Sequence, residues 1–175
     1  MGFPRRDEYD KFMEVFANFV RTQHPSVCFY SYGSYVQGDF VPGRSDIDGG
    51  LILDCGFVTP KDVVHDLANG LDATMMKTNP EIKVQFNLVD RGISKNGRFL
   101  AYDDTYTNHL KRHGRIFAGP DFVQEMNGMN YKRESLRSVA YNLRQVRNGL
   151  LSHFSDVRRD PLKARKNMLS TISIN

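Results

Sequence analysis

Asp46 and Asp48 are separated by a single residue, Ile47. Successive side chains of a strand alternate between faces, so both carboxylates share one face and Ile47 turns into the core. Two hard oxygen donors side by side suit a divalent cation such as Mg²⁺. Upstream, Gly33-Ser34 ends the apolar run VCFYSY. A glycine there permits a tight turn whose backbone N–H groups, with the serine hydroxyl, can hold a phosphate. The stretch FYSYGSYVQGDFVPGRSDIDGGLILD thus combines the parts of a metal–triphosphate site. The plainer alternative is a solvated strand edge that happens to carry two aspartates, and the Gly-Ser pair at this spacing argues against it.

The elements that must position these residues follow from hydrophobic periodicity. Tyr9, Phe12, Met13, Phe16, Phe19 and Val20 recur at helical spacing, which predicts an amphipathic helix over 7–22 with an aromatic stripe for the core. His24-Pro25 breaks it and the first strand follows. After Gly33 a short helix or loop reaches Pro42-Gly43, and Arg44-Ser45 lead into the Asp-x-Asp strand. Gly49-Gly50 come directly after the second aspartate. Glycines in a strand weaken it or admit a close approach, so a bulge or an open floor is expected. Thr59 as N-cap and Pro60 at the first helical position open a helix with Val63, Val64, Leu67 and Leu71 on one face. IKVQFNLVD then alternates as a third strand. Phe99, Tyr102, Tyr106, Leu110 and His113 place a further helix over 97–113. His109 and His113 stand i, i+4, but no glutamate follows His109 and no third ligand is evident, so they read as ordinary histidines.

Gly33-Ser34 and Ser45-Asp46-Ile47-Asp48, with Gly38 and the Pro-Gly-Arg turn between them, resemble the motif of the nucleotidyltransferase superfamily that includes DNA polymerase beta and the antibiotic and minimal nucleotidyltransferases. The likeness covers roughly the first 120 residues, and GRIFAGPDF is similar to the segment that closes the core domain in that family. The resemblance implies an α+β fold, a small mixed sheet flanked by helices, with a core domain over 1–127 and a C-terminal helical segment over 128–175. It implies transfer of a nucleoside monophosphate from an NTP to a hydroxyl-bearing acceptor, with release of pyrophosphate. Asp46 and Asp48 would then be catalytic metal ligands for Mg²⁺, with Gly33, Ser34, Arg44 and Ser45 holding the nucleotide. The family's third carboxylate falls here on Asn87, in Phe-Asn-Leu-Val, where an amide can contact nucleotide or metal but accepts no proton at neutral pH. Asp90 is the candidate base if a bulge or the strand end re-aims it from the opposite face. The alternative is a catalytically impaired nucleotide- or nucleic-acid-binding regulator or antitoxin-like module of the same fold.

A chain of 175 residues with 40% apolar residues suffices for one domain with an appended helical piece. Cys28 and Cys55 lie in or beside apolar segments without a His/Cys cluster, which excludes a disulfide framework and a zinc motif and fits a reducing compartment. No apolar run approaches the ~18 residues of a membrane span, and the start MGFPRRDEYD has no signal-peptide core, so a cytoplasmic protein with no membrane partner is expected. The net charge of +4 is unevenly spread, with 14 Lys/Arg against 17 Asp/Glu over 1–127 and 10 against 3 over 128–175. A basic helical tail beside an acidic metal site suits a phosphate-bearing partner, including nucleic acid, while a solvated helix face is the plainer reading. Apolar residues at helical spacing over 136–154 and after Pro161 also fit a homo-oligomer interface. Arg147 and His153 are similar to the Arg-x4–6-His motif of HEPN ribonucleases, but on an unbroken helix they lie roughly 120° apart.

Overall fold

The computed structural model describes residues 3–98 and 104–128. The expected C-terminal helical segment beyond residue 128, with its basic residues, Arg147 and His153, lies outside the described residues, as do Phe99 and Tyr102.

The fold is α+β, a mixed four-stranded sheet flanked by helices. Strands β1 (Cys28–Tyr32), β2 (Ile47–Leu53), β3 (Val84–Asp90) and β4 (Arg115–Ala118) lie in the order β3-β2-β1-β4. β1 runs antiparallel to both of its neighbours, and β2 and β3 are parallel. Parallel neighbours need a crossover connection, and α3 (Lys61–Lys77) supplies it. β4 is the element that periodicity missed. Its four residues, Arg-Ile-Phe-Ala, are too few to show alternation, and they become a strand by pairing with the free edge of β1.

α1 (Arg6–Gln23) and α3 cover one face of the sheet. The aromatic stripe of α1 goes where its spacing sends it. Phe16 stacks on Phe86 of β3 at 5.9 Å between centroids and meets Phe29 of β1 edge-on at 5.0 Å. Edge-to-face and offset pairs add to the burial of the rings themselves. On the other face Cys28, Tyr30, Ile52 and Val89 form a second, smaller core with Leu110 of α5 (Asp104–His113) and with Phe122, Val123 and Met126 around a 3-10 turn. α2 (Ser34–Gln37) is a single turn between β1 and β2, and α4 (Arg91–Lys95) follows β3 directly.

α3 starts one residue later than expected, with Pro60 as its N-cap. Thr59 does not cap it, because its hydroxyl is hydrogen-bonded to the carboxylate of Asp90.

Candidate functional site

The site lies where β1 ends and β2 begins. Ile47 is fully buried on the α1 side, and Asp48, next along the chain, emerges half-buried on the α5 side. Strand alternation alone dictates this. The register then defines rows across the sheet, since laterally paired residues point to the same face. Asp48 is opposite Tyr32 of β1 and Gln85 of β3, and the next row inward is Tyr30, Gly50 and Asn87. The Ser31 hydroxyl donates to the Asp48 carbonyl at 2.6 Å, and the Ile47 amide donates to the Lys83 carbonyl at 2.9 Å. Both bonds fix the backbone on which the carboxylate stands.

Gly33 brings the turn to that carboxylate. Its φ of +71° and ψ of −153° belong to a region essentially restricted to glycine. A Cβ on Gly33 would stand 3.1 Å from Asp48 Oδ2, so the bare Cα leaves room beside this oxygen. The Gly33 carbonyl accepts the amides of Val36 and Gln37 at 3.1 and 3.0 Å, which closes the turn that carries Ser34. Asp46 precedes β2 and is half-buried. Partial burial first, and the Asp46 charge second, push the Asp48 carboxyl above its usual range.

This environment fits Mg²⁺. An Asp48 carboxylate that is partly buried and faces the charge of Asp46 gains from a divalent cation beside it, and Gly33 leaves room next to one of its oxygens. Asp46 and Asp48 would hold the ion. Among the described residues no group of three or more His, Cys, Asp or Glu side chains is placed to bind a metal, so its other ligands would be phosphate and water oxygens.

The remaining candidates divide. Ser34 begins α2 beside Gly33 and is half-buried. Arg44 is exposed on the turn before Asp46. Ser45 belongs to that turn, since its hydroxyl oxygen accepts the Val41 amide at 3.1 Å and its own amide donates to the Val41 carbonyl at 2.8 Å.

Three expectations are corrected. Asn87 does share the Asp48 face, but it is fully buried one row deeper, in the row of Gly50 and Tyr30, which keeps it from a nucleotide. The residue beside Asp48 is Gln85, which is exposed. Asp90 is not re-aimed. The β2–β3 register runs without a break from Ile47↔Val84 to Leu53↔Asp90, so Asp90 points to the opposite face five positions beyond Gln85, about 16 Å along the strand. There it is buried, accepting the Thr59 hydroxyl and the Cys55 thiol, the latter at 3.2 Å. Finally, Gly49-Gly50 create neither a bulge nor an open floor. A Cβ on Gly50 would meet the Tyr30 hydroxyl at 2.6 Å and the Asn87 carbonyl at 2.7 Å, so the glycine admits the phenol of the neighbouring strand.

Strand parity put Gln85 and Asn87 together on the face of the aspartates without separating their rows, and it left out Tyr32. Parity gives a face, whereas the row requires the register. Two grooves elsewhere, about 560 Å³ between α1 and α3 and about 500 Å³ between α1 and β4, are lined by neither Asp46 nor Asp48.

No protein-family model matches the chain, and no curated protein matches it. A solved structure described as "Crystal structure of the toxin-antitoxin with AMP-PNP" aligns over 91% of this chain and 99% of its own, at 16% identity and a TM-score of 0.36. A likeness at that distance carries no argument about this chain. Among the described residues no helix is long and apolar enough to cross a membrane.

Proposed function

We propose that this is a nucleotidyltransferase-type domain that binds a nucleoside triphosphate with Mg²⁺ and transfers the nucleoside monophosphate to a hydroxyl-bearing acceptor. The supporting observation is the meeting of Gly33 with Asp48, beside Asp46, at a spacing that would leave a Gly33 Cβ 3.1 Å from the carboxylate oxygen. Ser34 and the backbone amides of the turn hold the terminal phosphates, Arg44 supplies positive charge, and the Gln85 amide lies beside Asp48 to donate to a phosphate or to the acceptor. Bound Mg²⁺ would neutralise the triphosphate and polarise the reacting phosphorus. In the transfer the acceptor oxygen bonds to the α-phosphorus, the bond to the bridging oxygen breaks and pyrophosphate leaves. With Asp90 on the far face, β3 offers no carboxylate for the hydroxyl proton, which passes to water.

That same placement of Asp90, with neutral Gln85 and Asn87 on the Asp48 face, favours a second reading. In it the domain binds Mg²⁺–NTP without turning it over, as a regulator or an antitoxin-like partner of another protein. Incubation with labelled ATP, CTP, GTP or UTP, Mg²⁺ and a panel of acceptors separates the two. Pyrophosphate release that disappears in Asp46→Ala supports transfer. Mg²⁺-dependent binding that is lost in Asp46→Ala, with no turnover in either protein, supports the binding module. Wild-type protein that binds none of the four nucleotides in the presence of Mg²⁺ refutes both.

A further inference from the structure

α2 is one turn long, with too few backbone hydrogen bonds to fix its own place. It nevertheless carries Ser34 and follows Gly33, whose position decides how much room is left beside the Asp48 carboxylate. Its anchor is Tyr35, next to Ser34 and only 8% exposed. The Tyr35 hydroxyl donates to Asp10 Oδ1 at 2.8 Å, and Arg6 Nε donates to that same oxygen at 3.1 Å. The Arg6 guanidinium also lies over the Tyr35 ring, 4.5 Å from its centroid, and its Nη2 donates to the Tyr35 carbonyl at 3.4 Å. Burial and the bond to Asp10 raise the phenol's pKa, so it remains a donor at neutral pH. One face of α1 is therefore spent on gripping the turn rather than on the sheet.

We infer that Tyr35, held by Asp10 and Arg6, is a positioning residue that sets the seat of Gly33 and Ser34 against Asp48 and thereby the affinity for the triphosphate. The inference rests on the nucleotide-binding reading above. Tyr35→Phe keeps the ring and its stacking and removes only the donor, while Asp10→Ala removes the acceptor and Asp10→Asn retains an oxygen for it.

The test is calorimetric titration with Mg²⁺–ATP, paired with amide hydrogen exchange at 36–38. Tyr35→Phe and Asp10→Ala are each expected to weaken binding about three- to tenfold. The double variant should lose no more than the weaker-binding single variant, because both changes break one bond. Asp10→Asn should bind nearly as wild type. Exchange at Val36 and Gln37 should quicken in Tyr35→Phe without nucleotide. Unchanged affinity in Tyr35→Phe, even with a lowered Tm, or additive losses in the double variant, would reduce the bond to a purely structural contact. If wild-type protein binds none of ATP, CTP, GTP or UTP with Mg²⁺, the nucleotide reading itself fails, and the exchange measurement alone decides whether Tyr35 seats the turn; if it binds another of the four, the titrations are run with that nucleotide.

Discussion

Gly33→Ala perturbs the most informative contact in the molecule. The residue's φ of +71° and ψ of −153° are closed to an L side chain at a cost of roughly 1–3 kcal/mol. For a chain of this size each kcal/mol lowers Tm by about 2–4 °C, so a loss of about 2–12 °C is expected. The new methyl group also stands 3.1 Å from Asp48 Oδ2, removing water from a carboxylate that is already hard to ionise. Relieving both strains displaces either the turn that carries Ser34 or the Asp48 carboxylate, and with either Mg²⁺–ATP binding should weaken by at least about tenfold, the equivalent of roughly 1.4 kcal/mol. Gly38→Ala is the control. Gly38 has φ +98°, yet a Cβ there would meet nothing within 4 Å. It should lower Tm through backbone strain and leave nucleotide affinity close to wild type. Thermal melts and calorimetric titrations of the two variants separate strain from contact. Equal nucleotide affinities in the two variants would refute the argument that Gly33 matters because it faces Asp48.

Two further outcomes follow from the same geometry. Because the folded-state pKa of Asp48 is raised, the carboxyl contributes stability that is present below its ordinary pKa and lost as pH rises through the raised value. Asp48→Asn should therefore raise Tm in metal-free buffer at neutral pH, and Mg²⁺ should stabilise the wild type but not the variant; a Tm for Asp48→Asn at or below wild type under metal-free conditions would contradict the account by burial and the Asp46 charge. Gly50→Ala pushes a methyl group into the Tyr30 hydroxyl and the Asn87 carbonyl, an overpacking that should cost about 1–3 kcal/mol in denaturant unfolding. Wild-type stability in that variant would mean that Tyr30 does not need the space.

What could be anticipated from the chain was whatever depends on a local period. The stripe of α1, the burial of Ile47 and the emergence of Asp48 follow from spacings of 3.6 and 2 and needed no partner to be known. Features that depend on a distant neighbour escaped. Gly50 resembles an opening until Tyr30 is found opposite it, and the strand at Arg115–Ala118 has no reason to form until the edge of β1 is there to pair with it.

The third strand shows the same limit inside the site. Alternation assigns Gln85, Asn87 and Val89 to one face, but it does not say how far along β3 the Asp48 row falls. The parallel register puts that row at Gln85, so Asn87 falls in the next, buried row. Parity also argued against Asp90, and only a bulge would have reversed it. The β2–β3 ladder has none, and at the strand end Asp90 stays on the opposite face, where it accepts from Thr59 and Cys55. The chemistry proposed for this face accordingly rests on two carboxylates flanked by an exposed amide, a set that can bind a metal-bound triphosphate, while the means of taking up the acceptor's proton separates a transferase from a binding module.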